Sequence, residues 1–242
     1  MKTFLKAAGI VFLGLLAIVG WYGYKLYGEI ENARSDDPLV WEGRIAAFEQ
    51  QPVLNDALLF TGSSSIRFWS SLERDMSPAP VIQRGFGGAK INDMVHYADR
   101  LVAVPSPAAI LVFAGTNDIS LQAVKPAADI AAEWLRFVAR VRQTHPDVLI
   151  YYIAITPSIR RWEVWPQAQD TNQLIEAAIK ADPLQHFINT GSSLLDEQGM
   201  PNPELYIFDG LHLNAEGYKR WTQVIRGRLL ADGLIPVVTG AP

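Results

Sequence analysis

The 242-residue sequence has no cysteine, which excludes a disulfide, a thiolate nucleophile and any metal site built on sulfur. Histidine is scarce, at four residues, so a base or metal ligand of that type has few places to sit. No run of Lys and Arg resembles the footprint of a nucleic-acid binder, and the formal net charge is only -4; nucleic acid is not an expected partner. Internal repeats and low-complexity tracts are absent too. What is present is a chain that is 49% hydrophobic, enough to bury one sizeable core with a short extension to spare.

Charge is missing from one long stretch in particular, Ala7 to Tyr24, which follows Lys2 and Lys6. It falls at the lower end of what spans a hydrocarbon layer of roughly 30 Å, and Trp21, Tyr22 and Tyr24 stand where interfacial aromatics stand. Its end offers bulky rings rather than a small-x-small cleavage site. The expectation is a signal anchor or transmembrane helix over residues 1–25, with the N-terminus in the cytoplasm and the main domain in the periplasm or outside the cell. Secretion after signal cleavage is the alternative. Residues 26–38 turn polar (Glu29, Glu31, Asn32, Arg34, Ser35, Asp36, Asp37) and read as a juxtamembrane linker, followed by a domain over 39–235 and a tail over 236–242.

Within the domain, short apolar runs at Ala57–Thr61, Val81–Arg84, Ala109–Ala114, Val148–Ile155 and His186–Asn189 read as strands. Several are almost wholly apolar, as buried parallel strands are. Helical patterns fall between them at Ile91–Val102, Pro126–Thr144, Gln167–Ala181 and Ala215–Leu230. This alternation predicts an α/β fold of flavodoxin-like type, a three-layer α/β/α sandwich around a five-stranded parallel sheet. Such sheets bind ligands beyond the carboxyl ends of their strands, and three polar motifs follow strands here: Gly62-Ser63-Ser64-Ser65, Gly85-Phe86-Gly87-Gly88 and Gly115-Thr116-Asn117-Asp118.

Taken singly, each motif has an ordinary explanation as a helix cap or tight turn. Together they place a hydroxyl, backbone donors and an amide at one end of one sheet, which is what acyl transfer needs. A serine hydroxyl also needs a base, and imidazole, titrating near pH ~6.5, suits that task. His96, His145 and His186 fall in a helix, before Pro146 and at a strand start, and read as structural or surface residues. His212 follows Asp209 by three residues in a Gly-containing turn ahead of a helix, close enough for the carboxylate to hold Nδ1–H and leave Nε2 facing a serine. One His and one carboxylate make too thin a ligand set for a metal, and none is expected.

These ordered blocks resemble the SGNH hydrolase family, the GDSL-type esterases and lipases, over nearly all of Ala57 to Leu230. The resemblance implies Ser64 as nucleophile, Asp209 and His212 as its acid-base pair, and an oxyanion hole from the Ser64 and Gly88 backbone N–H groups and the Asn117 side-chain amide. It implies no cofactor, and ester substrates ranging from short acyl or acetyl groups, including those on carbohydrates, to lysophospholipids. One position departs from the pattern: the family's Asp before the nucleophile is Ser63 here, leaving three adjacent serines. Register favours Ser64, two residues after Gly62, while Ser63 and Ser65 are expected to bond locally.

After the fourth strand, Thr156–Pro166 is rich in aromatic and cationic residues. Arg160, or its neighbour Arg161, is a candidate to meet a carboxylate or phosphate, and Trp162 and Trp165 to stack on a sugar or acyl group; tryptophans that simply cover the sheet end are the competing reading. The leading expectation is therefore a serine esterase acting on a small-molecule, carbohydrate or lipid ester. A membrane-tethered glycan- or lipid-binding protein with an inactive fold, or an acyltransferase using the same residues, stand as alternatives. Nothing in the sequence sets the oligomeric state.

Overall fold

A computed structural model describes residues 20, 28, 31–121 and 124–236. Apart from Gly20, the expected membrane span lies outside them; among the described residues no helix is long and apolar enough to cross a membrane.

Five parallel strands form one sheet: β1 (Leu58–Gly62), β2 (Val81–Gly85), β3 (Ala109–Phe113), β4 (Leu149–Ile153) and β5 (Gln185–Ile188), in the order β2-β1-β3-β4-β5. That order is the flavodoxin-like one, in which the chain switches direction across the sheet between β1 and β3. The register sets Gly62 at the end of β1 beside Gly85 of β2 and Phe113 of β3, so the three polar motifs emerge side by side.

Alternation along the strands builds the two outer layers. Leu59, Ile82, Ile110, Val112, Ile150 and Tyr152 face one core. It is covered by α1 (Glu42–Glu49), α4 (Ile91–His96), α5 (Ala98–Leu101), α6 (Ala127–Thr144) and α7 (Trp165–Ile179). Leu58, Phe60, Leu111, Phe113, Tyr151 and Ile153 face the other, covered by α2 (Ser64–Arg67), α3 (Leu72–Met76) and α8 (Ala215–Ala231). Here Trp69 stacks on Tyr218 and meets Trp221 edge-on, with Phe113 against the same Trp221. Each fully buried large apolar side chain contributes about 1.5–3 kcal/mol, so Tyr218 and Trp221 of this cluster hold α8 together with its buried Ile225 and Leu229.

Strand positions agree with the sequence expectation to within two residues. The helix expected over Ile91–Val102 is instead two short helices that meet at Tyr97, whose backbone leaves the helical range at φ -99°, ψ 12°. The turn lets Ile91 and Met94 before it, and Ala98 and Leu101 after it, all reach the core. Tyr97 is buried there, with its hydroxyl donating to Glu42. Residues 31–34 are helical, and a 3-10 turn at Pro38–Trp41 leads into α1, which buries Ile45 and Phe48. Ala33 packs against Gly88, and Asp36 pairs with Lys90 at 2.6 Å.

Candidate active site

The end of β1 sets the site. Gly62 has φ +126°, and a Cβ there would lie 2.1 Å from the Phe113 carbonyl oxygen, so only glycine lets β1 run this close to β3. The next residue completes the approach: Ser63 N–H donates to Phe113 O at 2.9 Å. Ser64 then begins the short helix α2, at the C-terminal edge of the sheet next to the strand switch.

Ser64 Oγ lies 2.8 Å from His212 Nε2, and His212 Nδ1 lies 2.6 Å from Asp209 Oδ2. The three side chains thus form one continuous chain of hydrogen bonds. The turn carrying the pair is closed by its own backbone. Asp209 Oδ1 accepts from the N–H groups of Leu211 and His212, Gly210 takes φ +64°, and Ile207 N–H donates to His212 O at 2.9 Å. Asn214 caps α8 by accepting from Glu216 and Gly217, fixing the exit from the turn. Burial alone would raise the Asp209 carboxyl, but the bonds from the His212 backbone and ring and from the Leu211 backbone outweigh it and hold it below its ordinary value of 3.8. An ionised Asp209 requires the His212 Nδ1 to carry a proton, which leaves Nε2 as the acceptor for the Ser64 hydroxyl.

Asn117 stands after β3, and its Nδ2 donates to the carbonyl of Ala89, 3.0 Å away and one residue past Gly88. Among the described residues one of its two amide hydrogens has no acceptor. Among the described residues, neither the Ser64 nor the Gly88 backbone N–H meets a protein acceptor. Asn117 lines a narrow crevice with Ser64, Ser65, Thr156, Ser158, Arg161 and His212, closed by Phe113, Thr116 and Leu211. Gly88, at φ +81°, sits outside that wall, against Ala33 and Trp41.

The aromatic-cationic loop contributes differently from its sequence reading. Arg160, Trp162 and Trp165 do not line the crevice. The two tryptophans stack on each other at 6.2 Å and 15°, with Trp165 packed on the core, while Arg160 N–H donates to Gly210 O at 2.9 Å and ties the loop to the His212 turn. It is Arg161 that faces the crevice, with Nη2 3.0 Å from Asn117 Oδ1 and Nη1 on the Thr116 carbonyl and hydroxyl. Another feature the sequence reading missed is Phe68, edge-on to the His212 ring. The three remaining histidines serve elsewhere: His96 against Tyr97, His145 bonded to Val102 O and Thr144 O, His186 beside Arg228. Ser65 reaches the crevice wall, and Ser63 Oγ, expected to bond locally, is buried without a partner among the described residues. No cluster of His, Asp and Glu suited to a metal occurs among the described residues.

A family model described as the GDSL-like lipase/acylhydrolase family matches residues 55–220. No curated protein matches the sequence. Solved structures share the fold: a Streptococcus pneumonia protein provisionally described as a platelet activating factor has 21% identity over 90% of this chain and 98% of its own, with a TM-score of 0.68. A GDSL-like lipase from Bacteroides thetaiotaomicron has 21% identity over 81% and 98%, TM-score 0.63, and a lipase/acylhydrolase from Enterococcus faecalis 16% over 73% and 96%, TM-score 0.58.

Proposed function

Because this chain belongs to the GDSL-like lipase/acylhydrolase family, a family of ester hydrolases, we propose that it cleaves a carboxylic ester through an acyl-Ser64 intermediate, with His212 as base and Asp209 as its partner. The observation that carries this reading is the unbroken chain from Ser64 Oγ through both His212 nitrogens to Asp209. Nε2 takes the hydroxyl proton as Oγ attacks the ester carbonyl carbon. The carbonyl π electrons move to oxygen, and that oxyanion meets the Asn117 amide together with the Ser64 N–H group. The imidazolium, stabilised by Asp209, returns the proton to the departing alkoxide. Water then repeats the sequence at the acyl carbon, with His212 taking its proton and handing one back to Ser64 as the acid leaves.

Hydrolysis of p-nitrophenyl acetate by the purified chain is the direct test, run beside Ser64→Ala and with a fluorophosphonate probe. Turnover should vanish in the variant, and the probe should label Ser64 and nothing else. Unchanged turnover in Ser64→Ala overturns the assignment. An inert Ser64 in a chain that retains glycan or lipid would make it a binding protein, and ester formation with an added alcohol in preference to acid release would make it an acyltransferase. The apolar Ala7–Tyr24 stretch supports a membrane tether with the catalytic domain outside the cytoplasm; release of the full-length chain by alkaline washing of membranes would remove that part.

A further inference from the structure

We propose that Arg161 is the positioning residue for the Asn117 side-chain amide, fixing which of its two ends faces Ser64 and backing that amide with positive charge. The inference rests on the Ser64 reading above and concerns how its oxyanion is met.

A side-chain amide has two nearly isosteric orientations, and only one presents N–H to an oxyanion. Here Nδ2 donates to Ala89 O, while Oδ1 accepts from Arg161 Nη2 at 3.0 Å. Turning the amide over would set its oxygen against the Ala89 carbonyl and its nitrogen against the guanidinium, replacing two attractions by two repulsions. Arg161 is itself immobilised in the turn that carries Asn117, because Nη1 reaches both Thr116 O (2.5 Å) and Thr116 Oγ1 (2.7 Å). A rigid fork on residue 116 thus sets the side chain of residue 117.

The charge around Arg161 points the same way. Its hydrogen-bond acceptors, Thr116 O, Thr116 Oγ1 and Asn117 Oδ1, are all neutral, and among the described residues it makes no ion pair. Burial, with the charge of Arg160 adding to it and the Asp118 carboxylate opposing both, lowers its pKa to about 10, which still leaves it cationic at neutral pH. A partly buried cation whose hydrogen bonds all go to neutral acceptors, with the Asp118 carboxylate acting on it only from beyond ion-pair distance, is costly in the resting protein. An oxyanion forming on the far side of the Asn117 amide supplies negative charge in that low-dielectric spot, and a cation bonded to the amide oxygen makes its N–H a stronger donor. The benefit falls on the transition state, so it belongs in kcat rather than KM.

The test is a double-mutant cycle on the full-length enzyme with p-nitrophenyl acetate: wild type, Arg161→Met, Asn117→Ala and the pair, with thermal unfolding of each. Arg161→Met should lower kcat roughly ten- to a hundredfold with KM within about twofold, and Arg161→Lys should recover part of the loss. In the Asn117→Ala background the same replacement should cost less than about threefold, since the amide it positions is gone. If Arg161→Met does not fold, the cycle run with Arg161→Lys reads the same coupling. Equal losses in both backgrounds would overturn the proposal, as would a rise in KM at constant kcat. A loss confined to carboxylate-bearing esters would also overturn it, making Arg161 a substrate contact. If Ser64→Ala abolishes turnover while the cycle is additive, only this inference fails; turnover surviving in Ser64→Ala removes it together with the reading beneath it.

Discussion

Phe68 stands edge-on to His212, with ring centroids 5.0 Å apart at 79°. Phe68 follows directly on α2, four residues after Ser64, and its N–H donates to Ser64 O at 2.8 Å, so the residue bonded to the Ser64 carbonyl also braces the imidazole. An aromatic edge contact of this kind is worth about 0.5–1.5 kcal/mol beyond area. Phe68→Ala is therefore expected to lower kcat about two- to tenfold while Ser64 remains reactive to a fluorophosphonate. A loss of a thousandfold, or none at all, would show that the ring does not act by bracing His212.

The parts of the site legible in the sequence are those encoded locally. Asp209 and His212 are three residues apart inside one turn, and Ser64 and Asn117 each follow a strand whose apolar run is unmistakable. The pairing of Ser64 with His212 across 148 residues came from the family resemblance, whereas the contact of Arg161 with Asn117 across 44 residues was not legible. In the loop, adjacent Arg160 and Arg161 are equivalent by composition; the kink at Arg161 (φ -120°, ψ 21°) within the 3-10 segment Ile159–Val164 is a backbone feature that no residue type announces. The helix α1 is masked in the sequence by charged Asp36 and Asp37 before it and Glu42 at its start, yet Trp41, Ile45 and Phe48 fall at helical spacing and are buried. Tyr97 broke an apolar pattern that continues unchanged on both sides of it, and periodicity does not register such a turn.

Ser63 occupies the position where the family carries Asp, and its hydroxyl is fully buried with no partner among the described residues. An unpaired buried hydroxyl costs about 1–3 kcal/mol of desolvation. Ser63→Ala should therefore be neutral or stabilising, raising Tm by up to about 2–4 °C for each kcal/mol regained in a domain of this size, with turnover within about twofold. Differential scanning calorimetry alongside esterase assays decides it. A drop in both would mean that the hydroxyl holds the nucleophile's turn.

Two carboxylates are expected to tilt stability with pH in opposite senses. Burial, only partly offset by bonds from the Lys90 backbone and the Trp41 ring, lifts Asp93 from 3.8 to about 6. A folded value above the unfolded one contributes stability that is complete below about pH 4 and lost as pH rises through about 6, at most about 3 kcal/mol for a gap of this size. Asp209 runs the other way: its folded value lies below 3.8, so its contribution is present above that value and lost as acid protonates it in the folded state. Urea unfolding should show wild type losing stability relative to Asp93→Asn, by at most about 3 kcal/mol, from about pH 4 to about pH 7, and the acid limb of Asp209→Asn flatter than that of wild type. Asp209→Asn should also lose roughly 10⁴ in kcat, because an amide no longer fixes the His212 tautomer. A pH-independent difference for Asp93→Asn would mean that Asp93 does not ionise in this range.

The crevice beside Ser64 is narrow, with space of only about 10 Å³ between its walls, room for a water or a methyl group rather than a chain. Its walls have little freedom to retreat. Phe113 is 2% exposed and packed 4.9 Å from Trp221, so displacing it would open the core. Leu211 sits in the turn between Asp209 and His212 and is the one large apolar wall outside the sheet. Forcing extra methylenes into such a space costs about 1–3 kcal/mol, which corresponds to a fall in kcat/KM of roughly five- to 150-fold from p-nitrophenyl acetate to the octanoate. Leu211→Ala should narrow that ratio by admitting the longer chain, with Ser64 labelling unchanged. Faster cleavage of the octanoate by the wild-type enzyme would place the acyl chain outside this crevice, along the exposed Phe68 side of His212.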